Sequence, residues 1–175
     1  MQVEMRRRGM AGAAAFAILM MASCAVLASS ARGQAKGAYE LRGDLLTARF
    51  QIGNSGLKVI GIVDRRSNTT LQPGEAFSLV LRDGRVISAS QMTIYSSSIQ
   101  EQVAPDPKAS RAAERLGGRR ICADLSTVDN LLTAHWCAVL RKEANYLRQE
   151  VTLKAGAQAA DISEVRLFDF EAPGA

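Results

Sequence analysis

From about residue 44 onward, apolar and polar side chains alternate with a period of two, and turn-forming residues interrupt the alternation. Successive side chains of an extended strand point to opposite faces, so this period marks half-buried strands and excludes a helical core. In Asp44–Ile52, Leu46, Ala48, Phe50 and Ile52 face one way, and Leu45, Thr47, Arg49 and Gln51 the other. Gly53-Asn54-Ser55-Gly56 then turns the chain, because Gly and Asn tolerate positive φ. Leu57–Asp64 resumes as a strand apolar on both faces, which suits a central position. Arg65–Thr70 reads as a polar loop and Gln72-Pro73-Gly74-Glu75 as a second turn.

The next hairpin carries the clearest local signal. Phe77, Leu79 and Leu81 alternate with Ser78, Val80 and Arg82, and Asp83-Gly84 offers the left-handed geometry of a tight turn. Arg85–Tyr95 returns as its partner, followed by a weaker strand at Ser96–Val103. Two prolines in Ala104–Ala113 break any ladder there, and Ser110–Leu116 has room for one turn of helix. Strands are then predicted over Arg119–Ser126, Leu132–Arg141, Tyr146–Lys154 and Ile162–Phe170, with turns at 128–130, 142–145 and 156–160. Short strands punctuated in this way predict an all-β, antiparallel sandwich over 44–175.

Residues 1–33 stand apart. Arg6-Arg7-Arg8, the uncharged run Met10–Ala28 and the small-residue exit Ser29–Gly33 have the three parts of a helical secretory signal. They place the rest outside the cytoplasm, secreted or in the periplasm of a bacterium, with 34–43 as a linker. Three fates remain open. Cleavage after Ala31 or Gly33 frees a soluble domain. Met21-Ala22-Ser23-Cys24 resembles a lipoprotein box, in which Cys24 is acylated and anchors the protein in the envelope. An uncleaved anchor is the third, weakened by the alanines and glycines of the run.

Removing residues 1–31 takes three arginines and Glu4, which leaves 19 basic and 16 acidic side chains. These charges are scattered near turns, whereas nucleic-acid recognition wants a clustered basic face with interleaved aromatics. The expected membrane contact is through the signal or a lipid on Cys24 alone. Apart from Cys24, the cysteines are Cys122 and Cys137, with no CxxC and no linear Cys/His spacing of a zinc site. If Asp129-Asn130 form a two-residue turn, Cys122 faces Cys137, Ala123 faces Trp136 and Asp124 faces His135. Opposed Cα atoms lie about 4.5–5.5 Å apart, within disulfide reach. A shifted register would separate the sulfurs.

No catalytic residue, cofactor site or metal site is assigned from sequence. His135 is the single histidine, and GxSxG, HExxH and phosphate-cradling glycine loops are absent. Glu150, Glu164, Asp169 and Glu171 are the carboxylates considered for a glycosidase pair, and their spacing reads as solvated strand acids. Trp136, Tyr95 and Tyr146 are the aromatics that a sugar platform would use, but the alternation Trp136-Ala138-Leu140 puts the indole on an apolar face.

Asn145-Tyr146-Leu147-Arg148-Gln149-Glu150-Val151-Thr152-Leu153, followed by Ile162-Ser163-Glu164-Val165-Arg166-Leu167, resembles the N-terminal β-domain of melibiase-type (α-galactosidase-like) glycoside hydrolases. Leu45–Ile52 and Leu57–Thr70 are similar in position and pattern, so the resemblance spans about 41–172. It implies a supersandwich of the galactose mutarotase type, set before a catalytic (β/α) barrel, with carbohydrate or that barrel as partner. This chain carries no barrel, so none of the family's catalytic carboxylates transfers to it. The resemblance therefore implies a non-catalytic module, cut short after its last strand and left with an unpaired edge. The alternative is a stand-alone envelope binding or structural protein, anchored through Cys24.

Overall fold

A computed structural model describes residues 37–53, 56–72 and 74–169. The expected helical signal, Cys24 and Glu171 lie outside the described residues. The strands in chain order are β1 (Gly37–Arg42), β2 (Leu46–Gly53), β3 (Gly56–Asp64), β4 (Thr69–Leu71), β5 (Gly74–Leu81) and β6 (Val86–Ser88). They continue with β7 (Thr93–Val103), β8 (Gly118–Ser126), β9 (Leu132–Arg141), β10 (Arg148–Ala155) and β11 (Ile162–Asp169). Short 3-10 turns occupy Ala89–Gln91 and Ala112–Arg115, the second within the stretch expected to hold one helical turn.

Two antiparallel sheets result, so the chain is an all-β sandwich. One runs β1-β2-β3-β5-β11, with β4 added to β3 and β6 to β5; the other runs β10-β9-β8-β7. Phe50, Ile52, Leu57 and Val59 from the first sheet and Ile121, Leu125, Leu132 and Trp136 from the second are buried in one core. Phe50 meets the Trp136 ring edge-on, with centroids 5.1 Å apart and planes at 66°. The edge-to-face arrangement places the positive ring rim on the negative face and adds about 0.5–1.5 kcal/mol to the burial. Trp136 Nε1 donates to Gln149 Oε1 at 2.9 Å, and Gln149 Nε2 donates to the Ala76 carbonyl at 2.9 Å. One amide thus satisfies a buried indole and ties β9 and β10 to β5 across the layers.

Three segments depart from the sequence reading. Gly37–Arg42, taken as linker, is β1, paired with β2 from Gly37↔Ile52 to Arg42↔Thr47. Its inward stripe is only Tyr39 and Leu41, too short to show as alternation, and the free edge of β2 recruits it. Thr69–Leu71, taken partly as loop, adds a short strand to β3. Arg85–Tyr95, taken as one strand, divides into β6, the 3-10 turn and the start of β7, because the chain changes sheets there. Glu75 fixes the crossing: its carboxylate accepts from the Ser90 amide at 3.0 Å and the Ser90 hydroxyl at 2.6 Å.

Gly56 makes that crossing close-fitting. It sits at φ +73°, and a Cβ there would lie 2.4 Å from the Ser90 carbonyl oxygen. Backbone on both sides leaves nothing flexible to move. Gly56→Ala is therefore expected to destabilise the domain by about 1–3 kcal/mol, from left-handed strain plus the clash. A urea titration checks this; a variant as stable as the parent would show that the β3 entry and the 3-10 turn are not held together.

Candidate functional site

The face of the β10-β9-β8-β7 sheet turned away from the core carries the chemistry-bearing side chains. Alternation puts Ile121, Ala123 and Leu125 of β8, and Ala134, Trp136, Ala138 and Leu140 of β9, in the core. Cys122 and Asp124, with His135 and Cys137, therefore share the other face. The register pairs Cys122↔Cys137, Ala123↔Trp136 and Asp124↔His135. The connection is longer than the two-residue turn assumed from sequence: Thr127 N donates to the Leu132 carbonyl at 3.0 Å, and Asn130 N to the Thr127 carbonyl at 3.0 Å. It lengthens equally on both sides of the same midpoint, so the register is unchanged.

Cys122 and Cys137 form a disulfide, with Cα atoms 4.1 Å apart. Both residues are buried, at 5% and 4% exposure, although they lie on the outward face. His135 stands beside them, its side chain 54% exposed. Its Nδ1 lies 2.6 Å from Asp124 Oδ1, and its Nε2 lies 3.3 Å from Cys137 Sγ. An ionised carboxylate only accepts, so Nδ1 holds the proton, and in the neutral ring the Nε2 lone pair faces the sulfur. The ligand atoms of Cys122, His135 and Cys137 all fall within 4.8 Å of one another. The sequence showed no such cluster because the ligands come from two strands. The signal available was His135-x-Cys137, which a strand places on one face, combined with the hairpin register.

Tyr95, half-exposed at a bulge in β7, borders this face. Burial raises its hydroxyl pKa above the ordinary tyrosine value, and the negative charge of Asp124 adds to the shift. On the flanking strand Arg148 donates to Glu114 at 2.6 Å and to Glu150 at 2.9 Å. The hydrogen bond from Arg148 holds the Glu114 carboxyl below its ordinary range, with the charge of Arg111 adding to it.

The carboxylates considered for sugar hydrolysis do not form a pair. Glu150 lies on β10 and is tied to Arg148, while Glu164 lies on β11 in the other sheet and is tied to Arg166 at 3.0 Å. Asp169 ends β11, with its side chain outside the described residues. Trp136 is fully buried, whereas Tyr95 and Tyr146 are exposed, so the three make no common platform. At one end of the sandwich Arg42, Arg119, Arg141 and Lys142 meet Asp44 around a cleft of about 750 Å³. Among the described residues no aromatic side chain lines it. Such a cleft suits an anionic group better than the stacking of a sugar ring.

The flank at β11 is different in kind. Among the described residues β11 pairs with β5 alone and forms the sheet edge. Val165 lies opposite Leu79 and Leu167 opposite Phe77. Directly opposed side chains share a face. Leu79 and Phe77 are fully buried, yet Val165 is 45% exposed and Leu167 49%. The apolar face of this sheet thus runs on one strand beyond the part that is covered. Among the described residues no helix is long and apolar enough to cross a membrane.

Comparison with known proteins adds no relative: no family model matches the chain, and neither a curated protein nor a solved structure does.

Proposed function

We propose that this chain is an exported, non-catalytic β-sandwich module that docks a second folded domain on its β11 flank. The resemblance of 145–153 and 162–167 to melibiase-type β-domains makes that second domain a carbohydrate-active (β/α) barrel. The observation that carries the docking role is the pair Val165 and Leu167, half-exposed opposite buried Leu79 and Phe77. An apolar strand at an open sheet edge is normally paired, covered or charged in a protein that stands alone. Here Glu164 and Arg166 satisfy each other, and the apolar positions beside them stay open. Covering the remaining half of each side chain is worth about 1 kcal/mol apiece. A catalytic partner would supply the acid and base, and the module would hold its position.

Co-expressed with this chain, a melibiase-type (β/α) barrel should co-purify with it. Val165→Lys combined with Leu167→Lys should weaken the association at least about tenfold, from lost burial alone. The melting curve of the module should stay near that of the parent. No association with the barrel, or association unchanged by both lysines, would overturn the reading.

A further inference from the structure

The outward face of the β8–β9 hairpin supports a second role, independent of the docking flank. We propose that Cys122, Cys137 and His135 form a zinc site when the two cysteines are reduced, with Asp124 as the residue that positions the imidazole. Two electrons decide which state the hairpin holds: a sulfur–sulfur bond, or two thiolates on a metal ion.

The donor set fits zinc. Thiolate and imidazole are the ligands that this d10 ion prefers, and four-coordinate tetrahedral geometry is its habit. The three donor atoms are already gathered within 4.8 Å, the two cysteines directly opposed on β8 and β9 and His135 two residues from Cys137 on the same face. Bound to one zinc, two sulfurs lie roughly 3.8 Å apart, given a Zn–S bond of about 2.3 Å. Opposed cysteines reach that separation by side-chain rotation, without moving the strands. His135 is also already oriented. Its Nδ1 proton goes to Asp124 at 2.6 Å, which leaves Nε2 toward the sulfurs. Metal-bound histidines are commonly held by such a carboxylate, which fixes the tautomer and makes the ligand more basic. A plain surface ion pair requires only the Asp124–His135 contact; it does not require the other nitrogen to face a sulfur.

The chemistry balances without a hidden reagent. A dithiol transfers two electrons and two protons to the Cys122–Cys137 bond, giving two cysteine thiols and the oxidised dithiol. Zinc then displaces both thiol protons to solvent, and water takes the fourth position. A newly made chain begins with free thiols, so it meets the same choice from the other side: oxidation, or capture of the metal.

The test uses purified protein carrying Cys24→Ala, so that the third cysteine does not contribute. After reduction it should bind one Co(II), with the intense near-ultraviolet bands of thiolate ligation, and Zn(II) should displace the cobalt. The oxidised protein should bind neither. Asp124→Asn should weaken zinc binding by about 10–100-fold with the cobalt bands retained. His135→Ala should weaken it more and shift the visible cobalt bands. His135 is exposed, so loss of fold is not expected from that change. If the reduced chain unfolds, zinc should refold it, because binding energy then becomes folding energy. The inference is overturned if reduced protein shows no thiolate bands, if the oxidised form binds equally, or if binding is indifferent to His135. It is overturned as well if a chain unfolded by reduction is not recovered by zinc.

Discussion

Trp136→Ala is expected to lower the unfolding free energy by about 3–5 kcal/mol, as truncation of a fully buried aromatic does. Trp136 is the largest fully buried side chain of the core. Three separate losses combine at this position. The cavity has rigid walls, because Phe50 packs on the ring from the opposite sheet. The edge-to-face contact disappears with the ring. Gln149 Oε1 also loses its indole donor in a part-buried place. A domain of this size is stable by about 5–15 kcal/mol, so the variant would retain only part of its folded population under mild denaturant. Urea unfolding followed by far-ultraviolet circular dichroism measures the loss. Trp136→Phe separates the causes: volume is largely kept, and leaving the amide oxygen without its donor costs about 1–3 kcal/mol. A loss below about 2 kcal/mol for the alanine variant would mean that the core collapses around the gap.

The second large effect concerns the hairpin covalently closed by Cys122 and Cys137. The bond spans 15 residues. For a loop of that length the lost freedom of the unfolded chain is worth about 3 kcal/mol. Cys122→Ala with Cys137→Ala should therefore unfold at lower urea, with a slope changed only by the less constrained unfolded state. Reduction of the parent by a dithiol should give a similar shift and should reverse on reoxidation. Intact mass before and after reduction and alkylation reports the bond itself. Equal stability of the parent and the double variant would show that the adjacent turn already holds the hairpin without it. Both predictions fall on β9, whose two faces do different work: Trp136 closes the core, and Cys137 locks the strand to β8.

The two readings of this hairpin make zinc and disulfide alternative braces at one place. Each cross-links β8 to β9 at the same register position. Stability measured under reducing conditions with zinc present should accordingly exceed that with a chelator. The module role does not depend on which brace is in place, since Val165 and Leu167 lie in the other sheet.

Much of the fold was legible because strand periodicity is a local property. The stretches around Leu46–Ile52, Phe77–Leu81, Ile121–Leu125 and Ala134–Leu140 carry their burial in their own alternation. Asp83-Gly84 was equally plain: Gly84 adopts φ +86°, and the Gly84 amide donates to the Leu81 carbonyl at 2.9 Å. What failed was whatever depends on a neighbour. β1 exists because β2 offers an edge, and the break after β6 exists because Glu75 reaches Ser90 from fifteen residues away.

By itself the sequence determined the class of fold, the inward stripes of β2, β5 and β9, and the parity that puts Cys122 and Cys137 on one face. Those follow from chain geometry, in which side chains alternate along each strand. The direct opposition of the two cysteines was decided by the folded turn. Only the tertiary structure decided which strands share a sheet and that Gln149 spans the layers to Ala76. Only it left the β11 face uncovered and turned His135 toward Asp124 on one side and Cys137 on the other. These outcomes depend on separations between residues distant in the chain, and a one-dimensional pattern does not encode such distances.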